Sequence, residues 1–463
     1  MASNYLYIFD NDLRTSYLPV LSQFIKEIND SGHGELQCAY LFDPEDLKPK
    51  NFQSALISPA KLKLICESLK ELGQVLANKG ILLDICIGNK SANLGNLIKK
   101  YNVTCLGYSS PTGSYEIELY RNAEIEGLTV HNDFQTSLFD KATLPFAIND
   151  LPATFTRFRK VVEALPLDEL FTHYQKLPEL SHKTNCAMQL LAKFEESYLS
   201  LNQTPAISYA LDTANKLKIE FSGGEGLAVH HMNNYFSLTS PSVYKTTRNF
   251  LDNWTASTKF SVALCLGNIS PKQIWREIVK YELKNGSNES TYWIKFELLW
   301  REYFHWYAAK YNEKLFHFSG ITQQKPLSSF YPERFRKWID GATPSHFINA
   351  IMNQLKTTGY ISNRARQLTA SYFVNELNID WRYGAAYFQS QLIDHDVASN
   401  WGNWQYLAGV GCDPRGKRKF NIEKQQNLYD PNMSYINKWI SSATTLPLDS
   451  VDYVDWPIVN EEP

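Results

Sequence analysis

Short apolar segments alternate with amphipathic ones through the first 131 residues of the chain. The segments YLYIFD, QCAYLFD, ILLDICIG, VTCLGY and LTVHN are rich in residues with high strand propensity and predict five β-strands. Residues 59–79 carry apolar side chains at i, i+3 and i+4, which predicts an amphipathic helix. Alternating strands and helices are typical of a parallel, doubly wound sheet. Residues 1–135 are therefore predicted to form a Rossmann-like α/β domain.

The pattern changes after residue 135. Prolines recur at positions 145, 152, 166, 178 and 205, and residues 136–210 are predicted to be an interdomain connector. From residue 211 the apolar positions have helical spacing and aromatic residues are frequent, which predicts an all-α domain over residues 211–463. All eleven tryptophans lie in this last part, so the two halves of the chain differ in their chemistry.

Composition excludes several classes of protein. The seven cysteines are dispersed without a CxxC pair, which argues for reduced thiols and against a zinc or iron–sulfur site. The first strand is not followed by GxGxxG, which argues against a dinucleotide-binding dehydrogenase. No apolar run is long enough to span a membrane and the N-terminus does not resemble a signal peptide, so we expect a soluble, cytoplasmic protein. No metal site is predicted.

The segment Asp380–Gly411, DWRYGAAYFQSQLIDHDVASNWGNWQYLAGVG, is the most unusual stretch of the chain. It combines three tryptophans with three aspartates and an N-W-G-N-W string. Buried aspartate and asparagine are costly unless each finds a hydrogen-bond partner, so their clustering beside aromatic residues predicts a polar ligand in an aromatic pocket. A tryptophan-rich core corner beside a capped helix end is the alternative interpretation.

One string within this segment closely resembles the flavin pocket of the photolyase/cryptochrome family. It reads D-x-D-x-A-S-N-x-G-N-W-x-Y-x-A-G-V-G and is carried by Asp394, Asp396, Ala398, Ser399, Asn400, Gly402, Asn403, Trp404, Tyr406 and Ala408–Gly411. The GVG-x-DPR ending and FTRFRKVVE at 155–163 resemble the DASH-type cryptochromes within that family. The resemblance implies that the helical domain binds FAD.

The resemblance also indicates which residues bind the cofactor. At residues 257–261, hydroxyl groups and loop amides suit a phosphate, and a simple Ser/Thr turn is the alternative interpretation. Val262 replaces the proline that the family has after this loop. Asn400 is expected near the flavin N5, because an amide can both donate and accept a hydrogen bond. The predicted cofactor-binding residues are Tyr244, Ser257, Thr258, Lys259, Phe260, Ser261, Arg301, Asn363, Arg366, Asp394, Asp396 and Asn400.

A second set of residues is predicted to bind and convert the substrate. Glu297, Trp300, Arg301 and Phe304 share one helical face by their spacing, and the family's E-L-x-W-R-x-F motif lies in this helix. A surface Glu–Arg pair is the alternative for that spacing. The predicted substrate-binding residues are Glu297, Trp300, Asn363, Arg364, Gln367 and Tyr406. Glu297 and Asn363 are also predicted to be catalytic, and Glu297 to have a raised pKa because its neighbours are apolar.

Three further tryptophans match the family's photoreduction relay. The resemblance implies that electrons pass from the surface to the flavin through them, in the order Trp404, Trp381, Trp338 outward. The alternative is that each tryptophan only anchors the core, since tryptophan is commonly buried.

The chain departs from the family pattern at several positions. Asp10 replaces an arginine, which would weaken binding of an anionic folate, so a methenyltetrahydrofolate antenna is left open. Glu116 and Glu118 lie where the family places an acidic pterin contact, but a solvated helix face is the favoured interpretation. Near the pocket rim, Asn349 replaces an aspartate and Pro344–His346 alter a turn.

The resemblance implies blue-light-driven repair of cyclobutane pyrimidine dimers by electron transfer from reduced FAD. It implies a DASH-type deoxyribodipyrimidine photolyase, a carbon–carbon lyase that acts as a monomer and prefers single-stranded DNA. A non-repairing regulatory cryptochrome is the main alternative. A light-independent flavoenzyme is disfavoured because no nicotinamide motif is present. The six-four photolyase branch is disfavoured because its histidines would fall at Asn363 and Gln367.

Overall fold

The computed structural model describes residues 3–125, 128–173, 175–181, 186–322, 324–413, 416, 418–440 and 448–449. Its five strands are all parallel and form one sheet in the order β3-β2-β1-β4-β5. The strands are β1 (Asn4–Phe9), β2 (Glu35–Phe42), β3 (Leu82–Ile87), β4 (Cys105–Ser109) and β5 (Thr129–Asp133). Tyr7 in the central strand lies opposite Cys38 on one side and Gly107 on the other. The predicted doubly wound α/β domain is confirmed.

Helices make up most of the rest of the described chain. The helices that flank the sheet are α1 (Pro19–Ser31), α2 (Pro59–Asn78), α3 (Lys90–Lys100) and α4 (Ser114–Ile125). The middle of the chain forms α5 (Phe155–Val162), α6 (Leu167–Phe171), α7 (Ala187–Gln203) and α8 (Pro205–Asn215). The helices that follow are α9 (Glu225–Ser237), α10 (Ser240–Thr247), α11 (Ser261–Leu266), α12 (Pro271–Asn285), α13 (Glu289–Tyr311), α14 (Pro332–Asp340), α15 (His346–Thr358), α16 (Asn363–Asn375), α17 (Trp381–Gln391), α18 (Val397–Ala408), α19 (Ile422–Tyr429) and α20 (Ser434–Trp439).

Several helix boundaries follow from local sequence. The predicted helix over 59–79 is α2, and Ser58 caps it by accepting a hydrogen bond from the Lys61 amide. Helix α12 begins at the Ser270-Pro271 pair with a full capping box, in which Ser270 and Gln273 satisfy each other's backbone amides. No described helix is long and apolar enough to cross a membrane.

The segment predicted as a connector contains helices of its own. Phe194 and Leu201 of α7 and Ile207 of α8 are buried in the same apolar cluster as the sheet. Gly73 of α2 lies so close to the Phe194 ring that a Cβ there would come within 2.2 Å of it. Part of residues 136–210 therefore packs onto the N-terminal domain, and the domain limits at 135 and 210 stay predictions.

The carboxyl edge of the sheet packs directly against the helical domain. Arg14, just beyond β1, is fully buried and donates hydrogen bonds to the carbonyls of Gln135 and Gly267. Lys61 of α2 donates through Nζ to the His395 carbonyl at 2.8 Å. Buried charged groups need such partners, and the Lys61 bond fixes the loop before α18 against the N-terminal domain.

Candidate functional site

A cavity of about 410 Å³ lies where α10, α13, α16 and α18 converge. Of the predicted site residues, three lie outside its lining in the described chain: Arg364, Trp338 and Trp381. The cavity brings together the others, which are Tyr244, Ser257, Thr258, Lys259, Phe260, Ser261, Glu297, Trp300, Arg301, Asn363, Arg366, Gln367, Asp394, Asp396, Asn400, Trp404 and Tyr406.

Two helices present the faces that their spacing predicted. Glu297, Trp300, Arg301 and Phe304 all line the cavity from α13, and the surface-pair alternative for that spacing is wrong. Asn363, Arg366 and Gln367 line the cavity from α16. Side chains three and four residues apart lie on the same side of a helix, so each motif reaches the cavity as a unit.

The loop from residue 257 to residue 261 is held in a defined conformation. Lys259 is buried with a φ of 57°, and its Nζ lies 4.9 Å from the centre of the Tyr360 ring. His231 Nε2 lies 2.9 Å from the Thr258 carbonyl oxygen. A non-glycine residue in the left-handed region persists only where its surroundings require it. The loop therefore holds its hydroxyl groups and amides against the cavity.

Asp394 is held by a two-pronged ion pair. Its side chain is fully buried, and Arg366 Nη2 lies 2.9 and 2.8 Å from its two oxygens. Burial alone would lower the pKa of Arg366, but Asp394 raises it overall. The pair fixes the start of the D-H-D turn against α16, so Asp394 supports the cavity wall as well as lining it.

Asp396 connects the cavity to the sheet. One carboxylate oxygen accepts from the Ser399 amide at 2.7 Å and caps α18, while the other lies 3.1 Å from His305 Nε2. Burial would raise the pKa of Asp396, but His305 and Ser399 hold it well below its ordinary value. One turn along α18, Asn400 Nδ2 donates to the Ala385 carbonyl at 2.9 Å. Its amide oxygen is not used in that bond.

Sequence reasoning missed Arg248. This arginine, in the Y-K-T-T-R-N segment at 244–249, lines the cavity and forms an ion pair with Glu297. Its guanidinium also lies 5.4 Å from the centre of the Trp293 ring. Burial raises the pKa of Glu297 and Arg248 opposes that rise, so the expected direction is confirmed. The signal available in the sequence was that Arg248 is a basic residue in the same short segment as Tyr244, a predicted cofactor-binding residue.

Trp300 is supported by the segment that resembled the DASH signature. Its ring stacks on Phe155 of α5 with centroids 3.7 Å apart and planes 13° apart. The Tyr406 ring lies edge-on to it at 6.1 Å, and the Arg418 guanidinium covers Tyr406 at 4.7 Å. Phe155 therefore orients the aromatic wall of the cavity without lining it.

Arg364 lies beside the cavity mouth, not in the lining. Its guanidinium lies over the rings of Phe420 and Tyr429, at 5.7 and 5.4 Å, and donates to Asn249 Oδ1 at 3.4 Å. Burial lowers the pKa of Arg364. The role of Arg364 in substrate binding stays a prediction.

The predicted order of the tryptophan relay is wrong at its outer end. Trp338 is fully buried, so it cannot be the surface terminus, and its ring centroid lies 6.4 Å from that of Trp404. Trp381 instead packs against Trp401 at 5.8 Å and donates through Nε1 to the Phe318 carbonyl. The predicted order comes from the resemblance to the family's relay, which does not show which ring faces which in this chain.

A second cavity of about 300 Å³ lies at the carboxyl edge of the sheet. It shares a wall with the first, formed by Leu264, Cys265, Arg301, His395 and Asp396. A crevice at this edge, where the strand order reverses between β1 and β4, is the usual ligand position in such sheets.

Acidic groups lie in the second cavity, and one of them corrects an expectation. Glu118 is exposed as expected, but Glu116 is half-buried and lines the cavity with Asp10. The solvated-face interpretation is therefore wrong for Glu116. Burial and Asp10 raise the pKa of Glu116 to about 7.

The altered turn near residue 344 is internally satisfied. Asn349 Oδ1 accepts from the Thr343 amide and hydroxyl at 2.8 and 2.7 Å, and its Nδ2 donates to the Thr343 carbonyl at 2.8 Å. An aspartate could not make that last bond. Residues 344–349 do not contribute to the first cavity in the described chain.

The first cavity fits FAD by its donor set. The loop at 257–261 offers hydroxyl groups and amides, Arg301 and Arg366 supply positive charge, and Trp404 and Phe388 form an aromatic wall. Phosphates need such donors, and a flavin ring needs an apolar wall with a few fixed polar groups. The arginines and loop would hold the phosphates, and Asn400 lies on the wall expected for the flavin.

Comparison with known proteins agrees with this chemistry. Residues 5–181 match the family described as DNA photolyase, and residues 293–461 match the FAD binding domain of DNA photolyase. The chain is 42% identical to Cryptochrome DASH of Idiomarina loihiensis, over 98% of this chain and 96% of that one. It is also 42% identical to Cryptochrome DASH of Vibrio parahaemolyticus, over 99% and 98%. The crystal structure of a Synechocystis cryptochrome superposes with a TM-score of 0.80 at 32% identity, covering 97% of this chain and 91% of that chain.

Proposed function

The chain belongs to the photolyase/cryptochrome family, within the DASH cryptochromes, and from this premise we propose that it repairs cyclobutane pyrimidine dimers in single-stranded DNA under blue light. Its C-terminal domain is of the FAD-binding photolyase type. One observation carries the proposal beyond family membership. Apart from Arg364, the residues expected to meet the lesion line the same cavity as those expected to hold FAD, so both ligands would lie side by side.

The chain's own residues would bind and orient the dimer. When bound and reduced, FAD supplies under blue light the electron that splits the dimer ring. Glu297 in its protonated form would donate a hydrogen bond to a thymine carbonyl, and Asn363 would donate to the same bases through a neutral amide. Trp300 and Tyr406 offer aromatic faces against which the dimer packs, and this also excludes water from the cavity.

The preference for a single strand follows from the cost of extruding the lesion. A dimer must leave the base stack to enter the cavity, which costs a few kcal/mol in a duplex and much less in an unpaired strand. Arg364, beside the cavity, supplies positive charge for the DNA backbone. Such contacts are independent of base sequence. We further propose that the protein acts as a cytoplasmic monomer.

A folate antenna is proposed for the second cavity. Its lining combines Tyr40, Tyr115 and Tyr120 with the carboxyl group of Glu116, a setting that suits a planar ring with amide-type donors. An absorption spectrum of the purified protein tests this. A near-ultraviolet band that persists when FAD is removed supports methenyltetrahydrofolate, and flavin bands alone argue against it.

The repair proposal is tested by light-driven turnover. Purified protein with chemically reduced FAD is illuminated with a dimer-containing single-stranded oligonucleotide, and restored thymines are counted by chromatography. Glu297→Ala should lose turnover by about tenfold to a hundredfold, because an unmade hydrogen bond to a charged centre costs about 1.5–3 kcal/mol. Glu289→Ala is the matched control, since Glu289 is exposed on the same helix and pairs with Lys245. Binding without turnover in the wild type would instead favour a regulatory cryptochrome.

A further inference from the structure

His305 of α13 lies behind the wall that the two cavities share. It lines the second cavity but not the first in the described chain, and it is 2% exposed. Its Nε2 lies 3.1 Å from Asp396 Oδ2, and its Nδ1 lies 3.2 Å from Ser137 Oγ. Asp396 lines both cavities and is predicted to bind FAD. The imidazole therefore contacts a cofactor-binding carboxylate from the side of the second cavity.

The charge of Asp396 determines which nitrogen of the imidazole carries a proton. Burial would raise the pKa of Asp396, but His305 and Ser399 hold it well below its ordinary value. The carboxyl group is therefore ionised and can only accept hydrogen bonds, so Nε2 of His305 is the donor. In the neutral ring, Nδ1 then accepts from the Ser137 hydroxyl. Because the Ser399 amide donates to Oδ1, both oxygens of Asp396 are held.

The helix that carries His305 is clamped to the loop of residues 136–139. Glu302 is fully buried, and its two carboxylate oxygens accept from backbone amides of this loop at 2.7 and 3.0 Å. Arg301 Nη1 donates to a carbonyl of the same loop at 2.7 Å. Hydrogen bonds to charged groups are among the strong ones in proteins. The clamp keeps Nδ1 of His305 on the loop hydroxyl and Nε2 directed at the carboxylate.

The series Ser137, His305 and Asp396 has the residue types of a hydrolase triad but not its accessibility. Ser137 is 1% exposed and lines neither cavity in the described chain. A catalytic serine must contact the carbonyl group that it attacks. The series can therefore act on a ligand only through its other end, which is Asp396.

Resting on the proposed binding of FAD in the first cavity, we propose that His305 is a positioning residue for the flavin and acts through Asp396. By donating to Oδ2, it fixes the direction of the carboxylate and offsets part of its negative charge. Without this partner, Asp396 is held by one oxygen only, and more of its charge reaches the cofactor. Reduction at alkaline pH adds negative charge to a flavin, so His305 makes that reduction more favourable.

The test is FAD binding and a potentiometric titration of the full chain at alkaline pH. His305→Leu should raise the Kd of FAD by about tenfold, because a hydrogen bond to a charged group is lost. It should also lower the midpoint potential of the flavin. His305→Gln should restore both, since a glutamine Nε2 donates from nearly the same position as a histidine Nε2.

Tyr307→Phe is the matched control. It removes a buried hydrogen bond of the same helix, from the Tyr307 hydroxyl to Gln405, and Tyr307 lines neither cavity in the part of the chain described. Both the Kd and the midpoint potential should stay at their wild-type values. If His305→Leu does not fold, His305→Asn takes its place, because the shorter amide cannot reach Asp396.

The midpoint potential decides the outcome. The role of His305 is overturned if His305→Leu keeps the wild-type potential, if His305→Gln lowers it as much, or if Tyr307→Phe does. None of these measurements needs a DNA substrate. A lowered potential in His305→Leu with no repair by the wild type would sustain the role and refute the repair proposal. Repair by the wild type with an unchanged potential in His305→Leu would do the reverse.

Discussion

Arg248 of the Tyr244 segment reaches across the cavity mouth and forms an ion pair with Glu297 of α13. Both side chains are largely buried, at 20% and 30% exposure. The carboxyl group expected to meet the dimer therefore already has a cationic partner, and substrate must share or displace it. This contact joins the segment that carries Tyr244, a predicted FAD-binding residue, to Glu297, a predicted substrate-binding residue of the same cavity.

Removing Arg248 should make stability depend on pH. In Arg248→Met, Glu297 stays buried without its counter-charge, so its pKa rises further above its ordinary value of 4.5. A carboxyl group with a raised folded-state pKa stabilises the fold at low pH and loses that contribution as pH rises. We expect a loss of about 1–2 kcal/mol at pH 8 and little loss at pH 4, measured by urea unfolding. Adding Glu297→Gln should abolish the pH dependence, and an equal loss at both pH values would contradict the account.

Breaking the Arg366–Asp394 pair should cost both stability and cofactor. Arg366→Met leaves a fully buried carboxylate unpaired, which should destabilise the protein by about 3–5 kcal/mol. FAD content after purification should fall with it. Arg382→Met is the control, because Arg382 pairs with Asp380 outside the cavity. Asp380 is buried too, so Arg382→Met should also destabilise the protein, but it should keep FAD. Full FAD occupancy in Arg366→Met would refute the supporting role.

Glu116 should set a second pH dependence, in the cavity beside the sheet. Its pKa of about 7 lies above its ordinary value of 4.5, so its contribution to stability is present below pH 4.5 and lost as pH rises through 7. Glu116→Gln should therefore stabilise the protein by about 1–3 kcal/mol at pH 8.5. Near pH 4 the variant and wild type should melt together. Thermal melts of both proteins from pH 4 to pH 8.5 measure this difference. If Glu116→Gln were stabilised at pH 4 and not at pH 8.5, the account would be contradicted.

The stacked ring of Phe155 should matter for substrate binding. Phe155→Leu keeps an apolar side chain but removes the ring on which Trp300 rests. The lost stacking is worth about 0.5–1.5 kcal/mol, which corresponds to up to about a tenfold rise in Kd. Fluorescence anisotropy with a dimer-containing single strand measures it. Phe139→Leu is the control, since Phe139 packs on Phe171 away from the cavity. Equal effects in both variants would show a merely structural role.

Periodicity in the sequence predicted the features that depend on one element at a time. The five strands, the helix at 59–79 and the shared faces of Glu297 with Trp300 and of Asn363 with Gln367 all follow from spacing within an element. A face is determined by the turn of its own helix, so the residues themselves are sufficient to infer it.

Contacts between distant elements could not be predicted in that way. The Arg248–Glu297 pair joins α13 to a residue 49 positions earlier, and the position of Trp338 behind Trp404 depends on how α14 packs on α18. Glu116 faces a cavity because α4 covers the sheet edge, whereas its local sequence resembles a solvated helix. Each depends on which surfaces meet across the fold, and periodicity within one segment does not carry that information.

The measurement that tests the central claim most directly is the initial rate of dimer loss under blue light, for one oligonucleotide presented single-stranded and annealed. Chemically reduced, FAD-loaded protein is used in both arms, with a dark control. The account predicts light-dependent restoration of thymines in the single strand, and a slower rate in the duplex because extrusion there costs a few kcal/mol. If the reduced protein binds the single strand and restores no thymines in the light, the repair proposal is wrong.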